Sequence, residues 1–397
     1  MNISKKVAAI APSMTLAINA KEKQMKAEGI DVIGFGAGEP DFDTPQHVKD
    51  ACIKAIRDGV TKYTPSEGTP ALRKAIAEKL EAENGLKYAP GDIVVSCGAK
   101  HSLFNAIFTI TNDGDEIIIP APYWLTYPEQ VSVSGGVPVY AYAGESTSYR
   151  ITADLIRSKV TPKTKALVLN SPSNPSGAVV DARELEKIAA LAVDKKFYII
   201  SDEIYEKILY DGKKHVSIAS LSPEVKAQTI LVNGFSKSFS MTGWRLGYTA
   251  GPKNVIAAMS NFQSHSTSNP TSFAQAAAIT AIKDSSDFVK MMLESFARRR
   301  KLIVDRLNAI PGMKCLNPDG AFYVYPSIKG FIGRKKGSCE IKDAMSMTEY
   351  LLAEARVAVV PGTPFGSPEN IRMSYATSDE KIKNGLDRME TALKQLQ

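Results

Sequence analysis

Cysteine is scarce in this chain: Cys52, Cys97, Cys315 and Cys339 are four among 397 residues. They lie far apart and form no C-x-x-C pair, which argues against a disulfide framework and for a reducing compartment. Histidine is equally rare. His47, His101, His215 and His265 are scattered, so no metal-ligand spacing is visible and no metal is expected. No apolar run approaches the length of a membrane span. The start of the chain, Lys5-Lys6 followed by Val7 to Ala11, faintly imitates a secretory signal, but Pro12, Ser13 and Thr15 interrupt it early. A cytoplasmic protein with no membrane partner is the expectation. Internal repeats and low-complexity tracts are also missing.

What remains is a globular composition, 44% hydrophobic and 23% charged, with enough length for two domains. The net charge of +7 raises the question of nucleic acid, but the basic residues are dispersed among 42 acids, and no nucleic-acid partner is expected. The densest cluster, Arg298-Arg299-Arg300-Lys301, falls in an amphipathic helix pattern with Phe296, Leu302 and Ile303 on its apolar side. It reads as a solvated helix face. A modest positive excess also suits anionic substrates or cofactors.

Along the chain, an arm leads into a helix over Leu16 to Glu28. Gly34, Gly36 and Gly38 tempt a dinucleotide-loop reading, but they run into Glu39-Pro40 rather than opening a helix. A loop of small residues still lets backbone N–H groups approach a ligand. Thr44-Pro45 starts a helix, with Thr44 as its cap. Another runs from about Pro70 to Asn84-Gly85. Apolar runs then read as strands at 93–95, 116–119, 138–140, 166–170, 197–200 and 229–232, with helices at 98–108 and 182–193 between them. Continuous apolar strands alternating with helices predict an α/β domain with a mainly parallel sheet. Such sheets bind ligands at the carboxyl ends of their strands. Trp124, Asn174, Asp202 and Lys237 each fall just past such an end. Past Lys283 a long helix at 287–308, a strand at 321–325, a helix at 346–354 and short strands at 357–360 and 371–374 predict a smaller α+β domain. Its loop 329–336 is basic and glycine-rich, and is expected to be exposed.

The stretch from Ser236 to Tyr248 is the most informative. A lysine held in a crowded, water-poor site can lose its proton and become a nucleophile. Ser236 and Arg245 beside it could clamp a phosphate. Taken singly, each candidate has a plainer reading: Lys237 and Arg245 as surface charges on a turn, Asp202 as a helix cap, Trp124 as core filling, Lys100 as an exposed helix residue, Arg372 in a surface ion pair. Four chemically distinct side chains on one sheet edge are harder to explain as packing.

Five motifs stand in order: Ala37 to Pro45, Asn170 to Gly177, Ser201 to Tyr205, Ser236 to Arg245, and Arg372 to Ala376. In these the chain resembles the pyridoxal-phosphate aminotransferases of fold type I, and most of all a bacterial subgroup of aspartate aminotransferases, over essentially its whole length. The resemblance implies a large domain (45–284) with a seven-stranded-type sheet, a small α+β domain (16–44 and 285–397) and an N-terminal arm (1–15). It implies that Lys237 attaches pyridoxal 5'-phosphate and then moves the substrate's α-proton. Asp202 would face the pyridine nitrogen, Tyr205 and Asn174 the phenolic oxygen, and Trp124 the ring face. Ala99 and Lys100 at a helix start, with Ser236 and Arg245, would hold the phosphate, joined by Tyr63 from the partner of a homodimer. Gly234 stands where the family often has a further phosphate-binding serine.

For substrates, the resemblance implies that Arg372 and the Gly38 N–H bind the α-carboxylate. Lys100, Ser13 and Thr15 would bind a distal carboxylate, since the region 264–268 offers no arginine. Ala11 replaces a basic residue tied to prephenate use in some members, so prephenate is expected to be a poor acceptor. The function implied is transfer of an amino group from aspartate to 2-oxoglutarate, with a broad-specificity or aromatic/prephenate aminotransferase as the alternative. Elimination on the same residues, or a binder that has lost catalysis, are the competing classes.

Overall fold

The computed structural model describes residues 3–397; Met1 and Asn2 of the expected arm lie outside the described residues. Seven strands build the main sheet: β1 (Ile93–Ser96), β2 (Glu116–Ala121), β3 (Val137–Tyr142), β4 (Thr164–Asn170), β5 (Tyr198–Asp202), β6 (Thr229–Gly234) and β7 (Gly247–Ala250). Their order is β1-β7-β6-β5-β4-β2-β3. All run parallel except β7, which is antiparallel to both neighbours. The expected mainly parallel α/β sheet is therefore present. β7 is an addition: Gly-Tyr-Thr-Ala is too short and too mixed to read as a strand.

Period-two alternation along these strands feeds two apolar layers. Ile93, Val95, Leu231 and Tyr248 face the helices Pro70–Asn84 and Ser272–Asp284. Val94, Ile230 and Val232 face the opposite layer, with the helices Ala99–Ile110 and Lys253–Ser264. Each such side chain contributes about 1.5–3 kcal/mol on burial. With both faces covered, ligand access is left to the strand ends.

A second unit holds β8 (Tyr323–Val324), β9 (Val360–Pro361) and β10 (Ile371–Ser374), antiparallel in the order β9-β10-β8. It packs on the helices Ser286–Asn308 and Asp379–Leu393 through Phe296, Ile303, Leu307, Leu386 and Met389. The expected strand at 321–325 shrinks to two residues because Ala321 turns the chain at φ 57°. The expected strand 357–360 splits, and Val357–Ala358 pairs in parallel with Ile33–Gly34. That pairing ties the N-terminal segment, with its helix Met14–Ala27, to the second unit. The loop 329–336 is largely exposed as expected, though Phe331 is buried under it.

Two readings need correction. Thr44 does not cap a helix: the helix is Gln46–Arg57 after Pro45, and the Thr44 hydroxyl donates to the Ser240 carbonyl (2.6 Å). It also accepts from the Trp244 indole (2.9 Å), so it fastens the loop after Lys237. The basic cluster is not wholly a solvated face either, because Arg299 and Arg300 are buried. Arg299 donates to Asp41 (2.8 Å) and Asp379 (3.1 Å) and lies 5.3 Å from the Phe42 ring centroid. Arg300 donates to both oxygens of Asp211 (2.7 and 2.9 Å) and to the Pro318 carbonyl (2.9 Å). Arg299→Met should therefore lower the unfolding free energy by ~1–3 kcal/mol, since it removes the partner of Asp41 and leaves Asp379 to Arg298 alone. Lys301→Met, an exposed i,i+4 partner of Asp305, should cost under ~0.5 kcal/mol. Urea unfolding separates the two; equal midpoints would restore the solvated-face reading.

Candidate active site

A cleft of about 550 Å³ opens at the carboxyl ends of β2, β4, β5 and β6, bounded by the second unit and by the helix Met14–Ala27. Trp124, Asn174, Asp202 and Lys237 all line it, as do Tyr205, Ser236, Arg245 and Arg372. So do Gly38, Ala99, Lys100, Ser13 and Thr15. Tyr63 does not; it is 92% exposed, away from the cleft of its own chain.

Lys237 follows β6 in a loop anchored by the buried side chains of Phe235, Phe239 and Met241. Their burial leaves Lys237 to project into the cleft, where its ammonium donates to the Gly38 carbonyl (2.5 Å). Burial pushes the Lys237 amine down to about 8. Glu39 pulls against that, while Arg372 and Arg245 add to it. Asp202, the last residue of β5, is 3% exposed. Burial pushes its carboxyl up to about 6, although the Tyr127 hydroxyl (2.7 Å) and the Ile204 amide (3.2 Å) donate to it. The Lys237 charge also opposes the rise, but among the described residues no cation forms an ion pair with Asp202.

Arg372 comes from β10 and is 2% exposed. No carboxylate pairs with it among the described residues. Its guanidinium donates to the Asn174 side-chain oxygen (3.0 Å) and the Gly36 carbonyl (3.0 Å), and its Nε is buried without a partner. Tyr323 and Phe365 flank it, at 4.6 and 5.1 Å from the ring centroids. Asn174 is held in turn, because its amide donates to Asn170 (2.9 Å) and Asn170 donates to the Asp202 carbonyl (3.0 Å). Tyr205 shares a hydrogen bond with Tyr323, hydroxyl to hydroxyl (2.9 Å).

The helix Ala99–Ile110 points its N-terminus at the cleft, and its first amides have no intrahelical acceptor. Gly98 precedes it at φ 91°, and a Cβ there would meet the Arg245 guanidinium at 2.5 Å. A Cβ on Gly247 would stand 2.3 Å from the Ala99 amide, so glycine lets β7 press against this helix start. Free amides, the helix dipole, Ser236 and Arg245 together make an anion cup. Lys100 lies 5.0 Å over the Trp124 ring, and burial with the nearby Arg245 lowers its pKa.

The fold also brings in residues that sequence reasoning missed. Asn19 and Lys23 line the cleft from the same helix as Thr15, and the i, i+4, i+8 spacing was the available signal. Tyr127 and Tyr323 carried no signal, because buried tyrosines are ordinary core residues. His215, scattered in sequence, lies with Glu203 and Glu206 inside 4.8 Å. The Lys79 ammonium already pairs with Glu206 there. Burial alone would raise the Glu206 carboxyl, but Lys79 and His215 outweigh it and hold it at about 2. Among the described residues no helix is long and apolar enough to cross a membrane.

A half-buried lysine of lowered pKa, a buried carboxyl and an unpaired arginine around an anion cup define an enzyme that handles a charged, carboxylate-bearing ligand. Residues 30–389 match the family described as aminotransferase class I and II, and the chain belongs to it. It is 50% identical to an aspartate aminotransferase of Geobacillus stearothermophilus, over 100% of this chain and 98% of the relative. Its structure is similar to that of the aspartate aminotransferase from Rhizobium meliloti, with TM-score 0.97, 44% identity and full coverage of both chains (100% and 100%). It is similar also to aspartate aminotransferase from Thermus thermophilus with maleate, with TM-score 0.94, 43% identity, and coverage of 99% and 100%.

The geometry makes one prediction about ionisation. Below about pH 8 Lys237 carries its proton, and above it the free amine dominates. Competitive acylation of the ligand-free protein across a pH series, read by mass spectrometry, should give a midpoint for Lys237 near 8. A midpoint at the ordinary lysine value of 10.5 would mean the amine is not desolvated.

Proposed function

We propose that this aminotransferase moves the amino group of L-aspartate to 2-oxoglutarate, giving oxaloacetate and L-glutamate, with pyridoxal 5'-phosphate as its cofactor. The observation that carries the reading is the meeting, in one cleft, of Lys237 with its lowered pKa, Asp202 without a cation and Arg372 without a carboxylate. Each is half of an interaction that this cofactor or this substrate completes. A protonated pyridine nitrogen would relieve Asp202. A phosphate dianion fits the amides of Ala99 and Lys100 with Ser236 and Arg245. Tyr205 and Asn174 would serve the phenolic oxygen, and Trp124 the ring face.

When bound, the cofactor supplies an electron sink for loss of the substrate's α-proton. The rest falls to the chain. Arg372 holds the α-carboxylate with a planar fork that lysine cannot reproduce, and Gly38 adds its N–H. That places the α-carbon toward Lys237, whose free amine would take the α-proton and deliver it to the cofactor's carbon rather than back to the α-carbon. Amino acid and 2-oxo acid then alternate in the same cleft. Lys100, Ser13 and Thr15 would bind the distal carboxylate. Support comes from the Thr15 hydroxyl, which is buried with no partner, and from the Thermus relative, whose structure is that of the protein with maleate, a dicarboxylate.

The exposed Tyr63 is assigned to the phosphate of a partner subunit in a homodimer. The arm (1–15) and the small domain (16–44 and 285–397) are assigned to closure over the large domain (45–284). Ala11 offers no cation, so prephenate should be a poor acceptor, and the cytoplasm is the proposed location. Leu16, Leu103 and Leu125 give the cleft an apolar wall, which favours an aromatic or broad aminotransferase as the second reading.

Two experiments test this. Borohydride reduction of the cofactor-loaded protein should leave the label on Lys237, and Lys237→Ala should abolish transamination. A label on another lysine would overturn the assignment. In a donor panel with 2-oxoglutarate, Lys100→Ala should raise KM for aspartate roughly 10- to 100-fold, the value of one charge-assisted hydrogen bond. KM for alanine and phenylalanine should stay within about 2-fold. Equal losses for all donors would move the specificity to the second reading.

A further inference from the structure

Tyr323, from β8, is 1% exposed and reaches two parts of the cleft at once. Its ring lies 4.6 Å from the Arg372 guanidinium, and its hydroxyl is 2.9 Å from that of Tyr205. The two tyrosine rings meet edge to face, 5.9 Å apart at 82°. A Cβ on Gly38 would come within 3.2 Å of the Tyr323 hydroxyl, so this hydroxyl is enclosed on that side too.

Each hydroxyl has one proton to give, and the bond between them uses one. If Tyr205 donated, it could offer the cleft only an acceptor. If Tyr323 donates, the Tyr205 proton stays free for a ligand. Burial raises the pKa of both phenols and the Arg372 charge opposes it at both, but it is the Tyr323 ring that the guanidinium lies against. A cation against one phenol makes that phenol the stronger donor. The direction of the bond follows from where Arg372 sits.

We propose that Tyr323 is a positioning residue, which donates to the Tyr205 oxygen and so keeps the Tyr205 O–H aimed into the cleft, while its ring steadies Arg372. The inference rests on the reading of Tyr205 as the donor to the cofactor's phenolic oxygen. It assigns the two halves of one side chain to two partners, the ring to Arg372 and the hydroxyl to Tyr205.

Tyr323→Phe removes the hydroxyl and keeps the ring, which makes the proposal testable. A donor to the phenolic oxygen favours its anionic state, so weakening that donor raises the pH midpoint at which the visible band of the cofactor-loaded protein titrates. Tyr323→Phe should raise this midpoint by ~0.5–1 unit, the equivalent of one neutral hydrogen bond. In a Tyr205→Phe background the same change should add nothing, because the route through Tyr205 is gone. The kcat of Tyr323→Phe should fall about 10-fold with KM for the amino donor within about 2-fold, because the ring still lies on Arg372. An equal shift in both backgrounds, or no shift in either, would overturn the role of Tyr323 while leaving the cofactor reading intact. A parent protein with no titrating band would overturn both.

Discussion

Desolvation of three charges at the sheet's carboxyl edge is the constraint on which this site depends. Lys237, Asp202 and Arg372 are each driven toward their neutral forms by burial, and none of them is paired off. An unpaired buried charge is costly, and the cost is met by the apolar layers on both faces of the sheet. The arrangement persists because the three groups sit on separate rigid elements, β5, the loop after β6 and β10. They cannot collapse onto one another. Residues held in this way are suited to recognising charge that arrives with a ligand.

The same constraint explains how the two units are joined. Arg372 bonds to Asn174, Asn174 to Asn170, and Asn170 to the backbone of Asp202. Lys237 is tethered to Gly38 in the N-terminal segment. Arg372 in the second unit is therefore linked through two asparagines to the backbone of Asp202 on the sheet, and both Arg372 and Lys237 also donate to the N-terminal segment, at Gly36 and Gly38. Behind them the pair Lys79–Glu206 ties the helix Pro70–Asn84 to the segment that carries Tyr205. Arg299 and Arg300 fasten the helix Ser286–Asn308 on both flanks.

The parallel sheet was legible because its strands are buried on both faces and read as unbroken apolar runs. The four residues at strand ends were legible for the same reason, since locating the strands located their ends. β7 was not, because its burial comes from neighbours on both sides rather than from its own four residues. Arg299 and Arg300 were misread because their partners, Asp41, Asp211 and Asp379, are distant in sequence, and helical periodicity cannot show them. Tyr127 and Tyr323 were invisible for a related reason: only the three-dimensional path reveals that their hydroxyls meet Asp202 and Tyr205. The roles of Asn174, Tyr205 and Lys100 came from family resemblance and not from spacing; the fold then put all three at the cleft.

The central claim is that Asp202 acts by charge on a ring nitrogen and does not merely support the strand end. Asp202→Asn keeps the shape and removes the charge. The direct measurement is the rate at which aspartate bleaches the visible band of the cofactor-loaded variant, followed by stopped-flow absorbance. The account predicts normal cofactor loading and a rate lower by about a thousand-fold, within the range of a lost acid–base contribution. A near-parental rate in a fully loaded Asp202→Asn protein would contradict it.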